Sequence, residues 1–215
     1  MSSNNKDIPI IGNGIVIDNS LNKNFEYSIY HGCSLQRAIK CNVEWGIVFG
    51  EIISNIYSTA QTNIELNDLI RTHIMQDAHW NWFDKACVLN SDEYEWFFCD
   101  LDEVTQGVCI IFHPKKSFLQ PGNVFYIEYI STAPWNRDIP GITKRFNGVG
   151  TILIKHTTRF AVENLNLMPG FNLHSLPQSN TFYEKKGMVL IKENAKDGME
   201  FFEMPSHLAI ELIND

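Results

Sequence analysis

The sequence predicts an α+β fold, with a mixed, mostly antiparallel central sheet flanked by helices. Three observations carry that prediction. Short runs rich in Val, Ile, Phe, Tyr and Cys, separated by turn residues, fill the stretch from Phe83 to Ala133. One long amphipathic segment, Gly148 to Leu165, follows them. After it come a strand, a short helix and two further strands, so that strands and helices are partly segregated along the chain.

The elements follow in order. Ile8 to Ile17 reads as a short strand or extended arm interrupted by Gly12 and Gly14. Ser34 to Ser58 reads as one or two helices with Ser34 as N-cap, and Asn67 to Gln76 as another. Residues 1–80 are therefore expected to form an atypical, mainly helical N-terminal part, with the core spanning 85–204. Lys85 to Leu89, Tyr94 to Leu101 and Gly107 to Phe112 read as strands of an antiparallel meander. Asn123 to Ala133 is a fourth strand, opened by Pro121-Gly122 and stopped by Pro134. In the helix that follows, Val149, Ile152, Leu153, His156, Phe160 and Ala161 recur at three- and four-residue steps, with Lys155, Arg159 and Glu163 opposite. Phe171 to Leu176 is a strand, Ser179 to Lys186 a short helix ended by Gly187, and Met188 to Ile191 and Met199 to Met204 two more strands.

Composition bounds the function. With 215 residues, 44% apolar, and no repeat or Pro/Gly/Ser linker, one domain over 1–215 is expected. A chain of this length buries a core without disulfide or metal staples. The charge sum, 17 − 25 = −8 with histidines neutral, disfavours nucleic acid and anionic membranes as partners. No signal pattern opens the chain and no apolar run approaches the ~18 residues of a membrane span, so a cytoplasmic protein is expected. Cys33, Cys41, Cys87, Cys99 and Cys109 are odd in number and lack metal spacing, which suits reduced thiols. His73 and His79, six apart with Asp77 between, do not share a helix face as two zinc ligands would, so no metal is expected. No G-x-S-x-G elbow is present. The aromatic cluster Trp80, Trp82, Phe83, Tyr94, Trp96, Phe97 and Phe98 reads first as core packing, with cation–π capture of an acceptor as the alternative.

The segment that carries chemistry is Arg145-Phe146-Asn147-Gly148-Val149-Gly150-Thr151, between the fourth strand and the amphipathic helix. Its glycines let the backbone turn tightly and approach a ligand. The free N–H groups of the helix's first turn, with the helix dipole, hold a phosphate or pyrophosphate, and Arg145 adds a positive donor. Taken by themselves, the same residues are also compatible with glycine used for packing alone. The segment is neither a P-loop, which needs a Lys after the second glycine, nor G-x-G-x-x-G in a first βαβ unit.

The strand Tyr126-Ile127-Glu128-Tyr129-Ile130-Ser131-Thr132-Ala133-Pro134, followed by Arg145-x-x-Gly148-x-Gly150 opening a helix, resembles the acyl-CoA-binding core of the GNAT superfamily of N-acetyltransferases. The run Ser179-Asn180-Thr181-Phe182-Tyr183-Glu184-Lys185-Lys186-Gly187-Met188 resembles that superfamily's following helix. The resemblance implies acetyl-CoA as cosubstrate and an amine acceptor, either a small molecule or a peptide or protein. It implies that the backbone of Ile130 and Thr132 pairs with the pantetheine arm. It implies that Arg145, Asn147, Gly148, Val149, Gly150 and Thr151 hold the pyrophosphate, that Asn180 contacts the pantetheine, and that Tyr183 protonates the departing thiolate. For the general base Glu128 leads, because strict alternation would place it with Tyr126, Ile130 and Thr132 on one face; His174 is second. Structural roles stay open for all three side chains: a solvent-facing carboxylate, a hydrogen-bonded histidine, a core tyrosine. The loop Trp135 to Lys144 is longer than the superfamily's usual spacing, and would lid the cleft or be inert. A non-catalytic module of the same fold is the alternative function, and a homodimer is compatible with either.

Overall fold

Alternation along the central strands decides the layers. Phe97, Cys99, Cys109 and Ile111 bury on one face of the sheet, and Trp96, Phe98, Val108 and Ile110 on the other. With apolar side chains on both faces, both must be covered by helices. The computed structural model describes residues 8–60, 62–65, 67–68, 76–139 and 143–215. Among them, strands β1 (Ile10–Asp18), β2 (Lys23–His31), β3 (Tyr94–Leu101), β4 (Val104–Lys116), β5 (Asn123–Thr132), β6 (Phe171–Ser175), β7 (Val189–Leu190) and β8 (Glu200–Met204) form one sheet in the order β1-β2-β3-β4-β5-β6-β8-β7. Every joint is antiparallel except β5–β6, which is parallel.

Helix α1 (Leu35–Thr59) covers one face. Ser34 caps it, its side chain accepting from the Arg37 N–H, and Ala38, Cys41, Trp45 and Ile52 turn to the core. Helix α3 (Val149–Asn164) covers the other face through Val149, Leu153, Ile154 and Ala161. Three shorter helices, α2 (Trp82–Val88), α4 (Asn180–Lys185) and α5 (Ser206–Asn214), complete the described layers. No helix among the described residues is long and apolar enough to cross a membrane. The five cysteines are unpaired, and burial pushes the Cys41 and Cys109 thiols up to about 12.

Three expectations need adjustment. The N-terminal part is not simply helical: the strand expected at 8–17 is β1, and it forms a hairpin with β2, where Tyr27 and Ile29 bury on one side. Gly12 and Gly14 sit inside β1 because a Cβ there would meet the His156 ring and the Tyr27 hydroxyl, at 2.3 Å and 2.5 Å. Lys85 to Leu89 is not a strand but lies in α2 and its cap. Asn81 caps that helix through the Asp84 N–H, and Trp82 and Ala86, one turn apart, bury toward α1. Tertiary burial outweighs the β-forming composition here. Most of the helix expected over Asn67–Gln76, with His73, lies outside the described residues, as do Pro140 and Gly141 of the long loop.

The last adjustment concerns β5. The register with β4 slips so that Ile110 faces Tyr129 while Ile111 faces Ile127, leaving Glu128 as an inserted residue. Such a bulge breaks period-2 alternation. Ile127 and Ile130 accordingly pack toward the α3 side and Tyr129 toward the α1 side. Glu128 therefore does not share a continuous face with Tyr126, Ile130 and Thr132.

Candidate active site

The site begins where two strands part. β5 pairs with β6 only at Phe125, Tyr126 and Ile127, opposite Phe171, Asn172 and Leu173. Beyond that point the β6-facing edge of β5 is open. The Ala133 N–H donates to the Gln106 carbonyl on the β4 side, so alternation turns the N–H and C=O groups of Ile130 and Thr132 away from β4, where Arg137 takes the Thr132 carbonyl and the Ile130 groups face the open edge. Facing it is the start of α3. Gly148 precedes the helix with φ +80°, a conformation glycine adopts without a Cβ penalty, and no side chain caps the first turn. The N–H groups of Val149, Gly150 and Thr151 are thus left directed outward, with the positive end of the helix dipole behind them. A Cβ on Gly150 would come only within 3.9 Å of Thr132, so strand edge and helix start are close neighbours.

Between them lies a cleft of about 350 Å³. Its walls include Ile130, Thr132, Gly148, Gly150, Thr151 and Tyr183. Tyr183 comes from α4 and is 6% exposed; burial raises its phenol well above the ordinary range, so it keeps its proton at neutral pH.

No family model and no curated protein sequence matches this chain. Solved structures do match in shape. An uncharacterised protein of Bacillus halodurans is 11% identical with a TM-score of 0.53, the match covering 96% of this chain and 97% of that one. Mycobacterium smegmatis RimJ, in complex with CoA-disulfide, is 12% identical with a TM-score of 0.50, covering 94% and 93%. This chain has the GNAT fold. The divergence of β5 from β6 and the glycine turn before α3 are therefore features of a GNAT sheet with an N-terminal β1–β2 hairpin.

Within that GNAT fold the expected residues divide into two groups. Ile130, Thr132, Gly148, Val149, Gly150, Thr151 and Tyr183 line the cleft together. Arg145 and Asn147 belong to the loop but spend their side chains elsewhere. Arg145 Nε donates to Asp18 at 2.8 Å, and Asn147 Nδ2 to Asn19 at 3.2 Å. The Arg145 guanidinium, followed by the Ser20 hydroxyl, holds the Asp18 carboxyl well below the usual carboxylate range. This pair ties the loop before α3 to the β1–β2 hairpin. Asn180 Nδ2 donates to Glu200 at 2.7 Å, while its Oδ1 is buried with no partner among the described residues.

Glu128 and His174 do not line the cleft; they lie next to one another by it. Tyr126 and His174 are 2.8 Å apart at the phenol oxygen and Nδ1, and His174 Nε2 is 2.9 Å from the Asn194 carbonyl. A carbonyl only accepts, so Nε2 carries a proton and donates to it, while Nδ1 shares its hydrogen bond with the Tyr126 hydroxyl. Glu128 is half-buried, and burial raises its carboxyl against the opposing charges of Lys115, Lys85, His174 and Lys196. Burial in turn pulls Lys85 down to about 8, its ammonium lying 3.3 Å from the Tyr129 ring centre and 5.2 Å from that of Trp80.

Sequence reasoning missed one set altogether. Arg137 binds both oxygens of Asp77 at 2.7 Å, the Ser131 hydroxyl at 2.6 Å and the Thr132 carbonyl at 2.9 and 3.0 Å. The Ser131 hydroxyl also donates to Asp77 at 2.8 Å. The network fastens the end of β5 to the long loop and to the segment before α2. Its only signals in sequence were an acidic residue between two histidines and a basic residue in a loop of unusual length.

Proposed function

We propose that the protein is an N-acetyltransferase, a single domain over 1–215 that moves an acetyl group from acetyl-CoA to a primary amine by direct attack in a ternary complex. The observation that carries the proposal is one cleft in which an open strand edge at Ile130, an uncapped helix start at Val149–Thr151 and the Tyr183 phenol meet. Each suits a different part of an acyl-CoA: the amide-bearing arm, the pyrophosphate and the sulfur. Lys144, also on the cleft wall, adds positive charge near the anionic end. The similarity to RimJ, whose structure holds CoA-disulfide, supports the same cosubstrate class. Five unpaired cysteines fit a reducing compartment, and we place the activity in the cytoplasm. A net charge of −8 favours a cationic amine over nucleic acid as acceptor.

In this mechanism a neutral amine attacks the thioester carbonyl, the C–N bond forming as the C–S bond breaks. The free N–H of β5 near Ile130 donates to the carbonyl oxygen as negative charge develops there. Tyr183, still protonated, supplies a proton to the departing thiolate and is reprotonated from solvent. Glu128 takes the amine's proton through water, since its carboxylate stands off the cleft wall and its raised pKa strengthens it as a base. His174, with both ring nitrogens engaged, orients Tyr126 beside that carboxylate.

One observation favours the second reading, a non-catalytic CoA-binding module: Arg145, Asn147 and Asn180 are all held by partners within the protein. Thermal shift with millimolar acetyl-CoA, combined with thiol release over polyamines, aminoglycosides, amino acids and lysine peptides, separates the two. A shift with release supports the enzyme, a shift without release the module, and no shift removes both.

A further inference from the structure

Helix α1 presents a face with nothing on it among the described residues. At 100° per residue, burial of Ala38, Cys41, Trp45 and Ile52 turns Ile39, Val43, Ile47 and Gly50 to the opposite side, while Gly46 lies toward the cavity shared with Asp77, Trp80 and Trp82. Ile39, Val43 and Ile47 are 47%, 56% and 60% exposed, one apolar residue on each of three successive turns. A Cβ built on Gly50 meets no heavy atom within 4 Å. Packing among the described residues therefore does not require this glycine, although glycine weakens a helix interior relative to alanine. An apolar ridge beside a bare glycine position suits close approach of another helix.

The charges indicate which helix. Lys40 and Glu51 flank the ridge on the same side, equidistant from the point between Trp45 and Gly46. Within the protomer Lys40 also lies 3.7 Å from Glu44 and donates to the Glu103 carbonyl. A two-fold axis through that midpoint, perpendicular to α1, sets Lys40 against Glu51 of the partner subunit and repeats the pair at the other end. The same operation brings bare Gly50 level with the partner's Ile39 and Val43, so that side chains from one copy enter the groove of the other. Parallel pairing about an axis along the helices would instead put the two Lys40 side chains, and the two Glu51 side chains, on opposite flanks of the contact and leave these charges unpaired.

We propose that α1 is a self-docking face, through which two copies of this chain pair by antiparallel α1 helices. The contact is made by the helix layer, on elements separate from the cleft, and it stands whether or not the acetyltransferase reading does. A single helix pair buries less than a standard interface, so the dimer is expected to dissociate in the micromolar range.

Sedimentation velocity on the full chain up to about 200 µM tests this. The wild type is expected to dimerise, and Gly50→Leu to be monomeric throughout while its melting temperature does not fall, since leucine is the stronger helix former. Lys40→Glu is expected to weaken the dimer about tenfold through two like-charge contacts, and Lys40→Glu/Glu51→Lys to restore it. The rescue keeps the test decisive should the leucine variant fold poorly. A wild type that stays monomeric, a dimer that survives Gly50→Leu, or a charge swap without recovery each overturns the proposal.

Discussion

The two sides of the β5–β6 gap are built from different materials. On the α3 side, the groups that face the cleft are mostly backbone: the edge of β5 at Ile130 and Thr132 and the first turn after Gly148. On the α1 side the groups are side chains held by partners distant in sequence: Arg137 on Asp77 and Ser131 at the cleft wall, and Glu128 among Lys85, Lys115 and His174 off that wall. A backbone-built site depends on a few conformations that glycine permits, whereas a side-chain site depends on charge pairs that removal of one partner leaves stranded. The two halves should therefore fail in different ways when mutated.

The largest difference is expected at Gly148. Replacing it by Glu forces a Cβ into a left-handed conformation and sets a carboxylate before the free N–H groups. At a hundredfold excess of acetyl-CoA over its Kd the wild type gains about 2.7 kcal/mol. The variant should lose all of it in a thermal shift experiment. On the other side, Asp77→Ala leaves the Arg137 guanidinium, 14% exposed, without its carboxylate, and should cost about 3 kcal/mol of stability in urea titration. If Asp77→Ala spares stability but abolishes cofactor binding, the division between the halves fails. Tyr183→Phe stands at the junction: turnover should fall about a hundredfold while the acetyl-CoA thermal shift is retained. Unchanged turnover would make Tyr183 a core residue only.

The smallest effect lies beneath α3. His156 is buried beside the Tyr27 hydroxyl, and burial, followed by Arg159 and Lys155, pulls its ring from 6.5 down to about 4. The unfolded chain then takes the proton first, so stability is full above pH ~6.5 and falls as the pH drops toward ~4. Between pH 7 and 5.5 the loss should be about 1 kcal/mol. Urea midpoints of the wild type and His156→Gln at the two pH values measure it, and an equal slope in both would remove the assignment.

The same contrast explains what the sequence made legible. β3, β5 and α3 announce themselves through local patterns, namely alternation, the Pro121-Gly122 and Pro134 boundaries, and three- and four-residue apolar steps, and they form within a residue or two of where those patterns place them. The glycine turn at Gly148 is local in the same way. By contrast, α2 was misread because its Trp, Phe, Cys and Val favour strands until burial against α1 decides otherwise. The bulge at Glu128 depends on the register of β4, which no window around Glu128 contains. Arg137 and Asp77 are sixty residues apart, and neither looks special without the other.

The short β5–β6 joint has a mechanical consequence. The strands β1 to β5 hold one another by long antiparallel ladders, and β6, β8 and β7 form a second, smaller group. Phe125 stacked on Phe171, with the neighbouring rungs at Tyr126 and Ile127, is where those two groups meet edge to edge. Side-chain bonds reinforce it, Glu203 of β8 accepting from the Phe118 and Leu119 N–H groups after β4. Anything lying along the open edge of β5 and touching α4 at the same time spans both groups, and so adds a tie where the strand ladder has none.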